Sequence, residues 1–127
     1  MYSETTQGIE IQVEPEFIPS ESLPSMSQYV FAYRVRLTNQ GSAAAKLVAR
    51  HWLITDGLGR TREVKGPGVV GETPRIEPGQ TYEYASFCPL TTPSGKMTGS
   101  YSMERDDGST FEAKIPLFFL QDLRVFH

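Results

Sequence analysis

Cys88 is the chain's only cysteine, so no intrachain disulfide, thiolate zinc site or CxxC redox pair can form. Histidine is almost as scarce. His51 and His127 are the two present, and with the second at the last position no two-histidine metal site within ordered structure is expected. No apolar run approaches the roughly 20 residues that a membrane helix needs. Met1 to Gln7 lacks the basic start and apolar stretch of a signal peptide, so the expectation is a cytoplasmic protein with no membrane partner. Charge of one sign is missing too. Lys plus Arg number 12 against 15 Asp plus Glu, a formal net charge of -3, which gives no broad field for a polyanion and argues against nucleic acid as partner.

What the chain does have is strand pattern. Its 127 residues suit one domain, taken here as residues 1–127, with enough length to bury a core unaided. Ile9, Ile11 and Val13 alternate with Glu10, Gln12 and Glu14, the period of a half-buried strand, which Pro15 and Pro19 are expected to end. Tyr29, Phe31, Tyr33, Val35 and Leu37 repeat the pattern more strictly, with Asn39-Gln40-Gly41 closing it as a turn. Residues 20–27, rich in Ser and Pro, read as a mobile loop between these two strands.

The run Leu47 to Thr55 reads as a third strand after an irregular piece at Ala43 to Ala45, with a helix over 43–54 as its rival. Further strands are expected at Thr61 to Lys65, Thr81 to Phe87, Met97 to Glu104 and Thr110 to Ile115, the last two joined by an Asp106-Asp107-Gly108 turn. About seven strands at this spacing, without a strong helical stripe of ten residues or more, predict an all-β fold. The architecture expected is an antiparallel sandwich of the immunoglobulin or fibronectin type III kind, anchored by Trp52, the sole tryptophan.

Several features look chemical. Gly66, Gly68 and Gly71 spell GxGxxG, a pattern whose glycines let backbone amides approach a pyrophosphate at a helix N-terminus. Here Glu72-Thr73-Pro74 follows in place of a helix, so the competing reading is a glycine-rich crossing between strands, with an anion nest as the alternative. Arg62, Lys65 or Arg75 would supply the charge for such a nest. His51 reads as a solvent-facing strand residue with Trp52 inward, and Cys88 as a small buried hydrophobe. Glu104, Asp106 and Asp107 gather at a hairpin tip, where turn chemistry explains Asp107-Gly108 without a cation. Thr92 to Lys96 lacks the second glycine of a phosphate loop and reads as a turn. Tyr82, Tyr84, Phe87, Tyr101, Phe111, Phe118 and Phe119 exceed what one sandwich face needs. Any left exposed, or a free strand edge, would make a peptide or protein surface.

The segments Arg50-His51-Trp52, Gly66 to Glu72, Pro78-Gly79, Cys88-Pro89-Leu90, Thr92-Pro93-Ser94-Gly95 and Gly99-Ser100-Tyr101 stand in an order that resembles the ApaG family, over about residues 8–120. Two departures are Pro116-Leu117-Phe118, where many relatives have Pro-Pro-Phe, and the tail from Gln121 to His127. The resemblance implies a fibronectin type III-like sandwich, in agreement with the strand pattern. Bacterial members, also called CorD, are associated with magnesium and cobalt phenotypes, and eukaryotic relatives are modules of F-box proteins and of a polymerase-delta-interacting protein. It therefore implies a non-enzymatic binding module with a protein partner. The residues themselves offer no compact His, Cys or carboxylate set for a resident metal and call for no cofactor, and open sheet edges would allow a homodimer. The alternative that the resemblance carries is a nucleotide or pyrophosphate-binding protein using Gly66, Gly68 and Gly71.

Overall fold

Strict alternation from Tyr29 to Asn39 produces the longest regular strand of the first sheet, because every second side chain finds a buried position. The computed structural model describes residues 1–124. Among them lie nine strands: β1 (Tyr2–Thr6), β2 (Ile9–Phe17), β3 (Tyr29–Asn39), β4 (Ala45–Asp56), β5 (Thr61–Pro67), β6 (Arg75–Ile76), β7 (Thr81–Leu90), β8 (Ser94–Arg105) and β9 (Thr110–Gln121). One sheet has the order β1-β2-β3-β7. The other runs β5-β4-β8-β9, with β6 also paired to β4. Each pairing is antiparallel, and the two sheets form the expected all-β sandwich.

The inner faces meet in one core. Ile9, Ile11, Val13, Phe31, Val35 and Leu37 from the first sheet face Leu47, Met97, Tyr101, Met103, Ile115 and Phe118 from the second. Trp52 sits among them as the anticipated anchor, its ring edge-on to Tyr33 at 5.3 Å, Tyr101 at 6.2 Å and Phe118 at 6.0 Å. Such pairs add about 0.5–1.5 kcal/mol each beyond burial.

Two bulges reset the alternation. β4 buries Ala45 and Leu47 at odd positions but Trp52 and Ile54 at even ones, because its pairing with β8 slips between Leu47 and Ala49, leaving Val48 unopposed. In β9, Pro116 and Leu117 together oppose Thr98, so the buried set passes from Ala113 and Ile115 to Phe118 and Leu120. The proline is tolerated because a bulge relieves it of a ladder bond.

Several expectations need correction. β2 does not stop at Pro15. It continues to Phe17 beside β3, while β1 pairs only as far as Val13, so the missing N–H of Pro15 falls where no neighbour needs it. The rival helix over 43–54 does not form. The Ser/Pro segment holds two single-turn 3-10 helices, Pro19–Glu21 and Pro24–Met26, and Ser22 Oγ donates to Ile18 O at 2.8 Å while accepting from Val30 N at 2.9 Å. β1 and β6 are strands beyond the seven expected. Asn39 is more than a turn residue: fully buried, it donates to Ala43 O at 2.9 Å and Ile76 O at 3.0 Å and accepts from Gly41 N at 2.9 Å. Those bonds hold β6 to the end of β3.

The two flanks of the sandwich differ. On one, β1 and β2 pack against β9, where Thr6 Oγ1 accepts from Lys114 N at 3.2 Å and Tyr2 Oη from Phe119 N at 3.4 Å. On the other, β5 and β7 end their sheets without a further strand.

Candidate functional site

The open flank is where chemistry gathers. Arg62 of β5 reaches across it to β7, donating through Nη2 to Pro89 O at 3.1 Å and to Cys88 Sγ at 3.7 Å. Beneath lies a cleft of about 340 Å³ between the sheets, walled by Tyr33, Trp52, Val64 and Tyr84 and carrying Arg50 and Arg62. Period two explains the arrangement: Arg50 is in phase with Trp52 and Ile54 on β4, and Arg62 with Val64 on β5, so both arginines lie on inward-facing positions.

Three phenols surround the cleft floor. The hydroxyls of Tyr84 and Tyr101 hydrogen-bond to each other, and Tyr101 is fully buried while Tyr84 is half-buried. Burial pushes Tyr33, Tyr84 and Tyr101 above the ordinary phenol range, and the nearby Arg50 guanidinium only partly opposes it. Cys88 is raised by burial as well, again only partly offset by Arg62. His51 faces the other way, with Nε2 2.9 Å from Glu63 Oε2 on the outer surface. That hydrogen bond, helped by Lys65, holds the Glu63 carboxyl below its usual range.

Gly66 and Pro67 belong to β5 and pair with Arg50 and Ala49. Gly68 N donates to Val48 O at 2.9 Å, and Val69 and Glu72 exchange backbone bonds at 2.8 and 2.9 Å around a tight turn. Val70 (φ 43°) and Gly71 (φ 80°) occupy its two left-handed positions, the pattern of a type I′ hairpin turn. β6 follows, not a helix. Arg50 Nη1 donates to Pro67 O at 2.9 Å and Gly68 O at 3.2 Å, and its guanidinium lies so close over Gly66 that a Cβ there would come within 2.9 Å. Each glycine thus has a local steric or conformational reason for its place.

The other sequence candidates are dispersed. Lys65 joins Glu63 on the outer face, and Arg75 pairs with Glu77 and Asp106 at the far end. Asp107 accepts from Ser109 within the β8–β9 turn. Among the described residues no three His, Cys, Asp or Glu side chains gather as metal ligands, and no helix is long and apolar enough to cross a membrane. His127 lies outside the described residues. Of the surplus aromatics, Tyr101 and Phe118 are core, whereas Phe87 and Phe119 are exposed.

The profile of the ApaG domain matches residues 19–105. The chain belongs to the ApaG domain family. It is 54% identical over 120 residues to Protein ApaG of Paramagnetospirillum magneticum, covering 94% of this chain and 92% of that one. Protein ApaG of Allorhizobium ampelinum is 51% identical over 126 residues, covering 98% and 97%. The crystal structure of an ApaA protein from Bordetella pertussis superposes with a TM-score of 0.87 at 50% identity, over 89% of this chain and 92% of that one. The C-terminal domain of wzt, at 13% identity and a TM-score of 0.56 over 94% of this chain and 76% of that one, shares the fold alone.

The inward-facing Arg50 is the ApaG residue that sequence reasoning missed. A signal existed, since counting back by twos from Ile54 and Trp52 arrives at an arginine on the buried face.

Proposed function

We propose that this ApaG domain is a non-enzymatic, cytoplasmic protein-interaction module that holds an extended segment of another protein along the open β7 edge. The observation that carries this reading is the unpaired edge itself, beside an aromatic-walled cleft. Pro89 O turns outward to Arg62, whereas Gln80 O turns inward to Asn39 N. By the alternation of an antiparallel strand, Thr81, Glu83, Ala85 and Phe87 then direct their N–H and C=O groups away from β3. Such an edge is a template for strand addition. A non-enzymatic role is supported by the separation of Cys88, whose thiol is raised, from His51 on the opposite face, so nucleophile and base do not meet. Any link to magnesium and cobalt homeostasis then passes through the protein partner.

In-cell photocrosslinking from position 85, compared with position 114 on the sealed flank, tests this reading. Discrete adducts from Ala85 and none from Lys114 are expected. Equal labelling from both, or none from either, would count against it.

A second reading, nucleotide or pyrophosphate binding at Gly66, Gly68 and Gly71, is favoured by one observation. Arg50 lies against this hairpin, and the consecutive Val70 and Gly71 amides make no hydrogen bond among the described residues. Saturable amide shifts confined to residues 62–75 on adding pyrophosphate at constant ionic strength would establish it over the first.

A further inference from the structure

The chain carries more carboxylates than cations, and four of its eight arginines pair with them. Arg36 pairs with Glu83, Arg60 with Asp56, Arg75 with Glu77 and Asp106, and Arg124 with Asp122. Arg34 and Arg105 form no ion pair among the described residues, Arg105 donating to the Ala43, Ala44 and Gln7 carbonyls. Arg50 and Arg62 are the two that line the cleft between the sheets. Among the described residues neither has a carboxylate partner, and no Asp or Glu lines the cleft they share. Arg50 uses Nη1 on the Pro67 and Gly68 carbonyls, and Arg62 uses Nη2 on Pro89 O and Cys88 Sγ. A guanidinium offers five N–H donors, so each retains donors for a ligand. Two positive charges thus stand without a carboxylate among the residues of an aromatic-walled cleft, Arg50 half-buried within it and Arg62 exposed at its rim, and the half-buried one is screened less by water than a charge on an open surface.

The strand edge beside them fixes what form the missing anion takes. An extended segment pairing with Thr81 to Phe87 places alternate side chains inward, about 7 Å apart, over Arg50, Arg62 and the Tyr84 ring. Four successive outward-facing residues on β7 suit a strand that runs through the site, so the carboxylate comes from a side chain within the segment and not from a chain end. Arginine meets a carboxylate with paired N–H donors, the geometry in which charge-assisted hydrogen bonds are strongest. We infer that the segment recognised at this flank is an acidic β-strand, which adds to the β7 edge and turns an Asp or Glu side chain inward onto Arg50 and Arg62. This rests on the reading of the domain as a protein-interaction module, and supplies the partner chemistry that reading lacks.

The test uses the full chain, isotopically labelled, and terminally blocked heptapeptides of alternating valine and threonine. In these, none, one or two central residues are glutamate, with the matching glutamine peptides as controls. Glutamate peptides are expected to shift the amides of Thr81, Glu83, Ala85 and Phe87 saturably and to bind at least tenfold tighter than their glutamine counterparts. Arg62→Gln should reduce that preference to threefold or less. Because Arg50 also braces the hairpin at 67–68, Arg50→Gln serves as a second variant once its amide spectrum shows the fold retained. Equal binding of glutamate and glutamine peptides would overturn the acidic inference while leaving the strand-edge reading standing. No shift at β7 with any peptide would remove both. An undiminished glutamate preference in Arg62→Gln and in Arg50→Gln would overturn the arginine assignment.

Discussion

Gly68 and Glu72 stand so close across the β5–β6 connection that a Cβ built on Gly68 would lie 2.1 Å from the Glu72 carbonyl oxygen. Gly71, three residues on, has φ 80° but open space around it. The two positions separate a steric requirement from a conformational one. Gly68→Ala is expected to cost about 3 kcal/mol, a left-handed backbone penalty plus forced displacement of the hairpin. Gly71→Ala should cost about 1 kcal/mol. Urea denaturation of the two variants checks this, and equal losses would contradict the geometry.

The Tyr84 and Tyr101 hydroxyls satisfy each other, but only Tyr101 is fully buried. Tyr84→Phe strands a buried hydroxyl and should cost about 2 kcal/mol, whereas Tyr101→Phe leaves a half-buried one and should cost about 1 kcal/mol. The double variant should lose less than the sum, with a coupling of about 1 kcal/mol in a double-mutant cycle. Strict additivity would show that the pair is not an energetic unit.

Alkaline titration probes the same phenols. Burial raises Tyr33, Tyr84 and Tyr101, so the native state keeps protons that the unfolded chain releases near pH 10. The sign follows from linkage: their contribution to stability is complete below the unfolded value and is lost as pH climbs toward the folded ones. Absorbance at 295 nm should therefore show ionisation of the buried phenols delayed beyond the ordinary phenol range and accompanied by loss of the far-ultraviolet signal. A single titration of all six tyrosines near pH 10, with the fold intact, would rule this out.

Cys88 combines burial with a raised thiol. Because the thiolate is the reactive form, labelling by Ellman's reagent at pH 8 should be about a hundredfold slower in the native protein than in urea. Rapid stoichiometric labelling without denaturant would instead mark the residue as a reactive thiol.

How far such features were legible in the chain depends on whether a pattern stays local. β3 was readable because eleven residues alternate without interruption. β4 was harder, since the bulge at Val48 shifts its phase midway and makes either parity look half wrong. β1 gave little signal. Tyr2 is its only apolar residue, and its role is to bind β9 through side chains far away in sequence. β6, two residues long, exists because Asn39 and β4 hold it, a relation no window of sequence contains. The GxGxxG segment was legible as a break in the strands, but the steric reasons for Gly66 and Gly68 depend on Arg50 and Glu72, which only folding brings alongside. The cleft itself required knowing that β5 and β7, from different sheets, end on the same flank.

Sealing β9 with the hydroxyls of Tyr2 and Thr6 leaves the open terminal strands of the two sheets, β5 and β7, together on one flank. A β-protein with two free borders can add copies of itself indefinitely, as filaments do. With both open edges on one flank, a single addition covers that flank. Two chains that met along β7 would consume each other's edge and close as a pair, and a foreign strand seated there would leave no β7 backbone for a second copy to join. Self-association and partner capture would then be mutually exclusive uses of one strip of backbone.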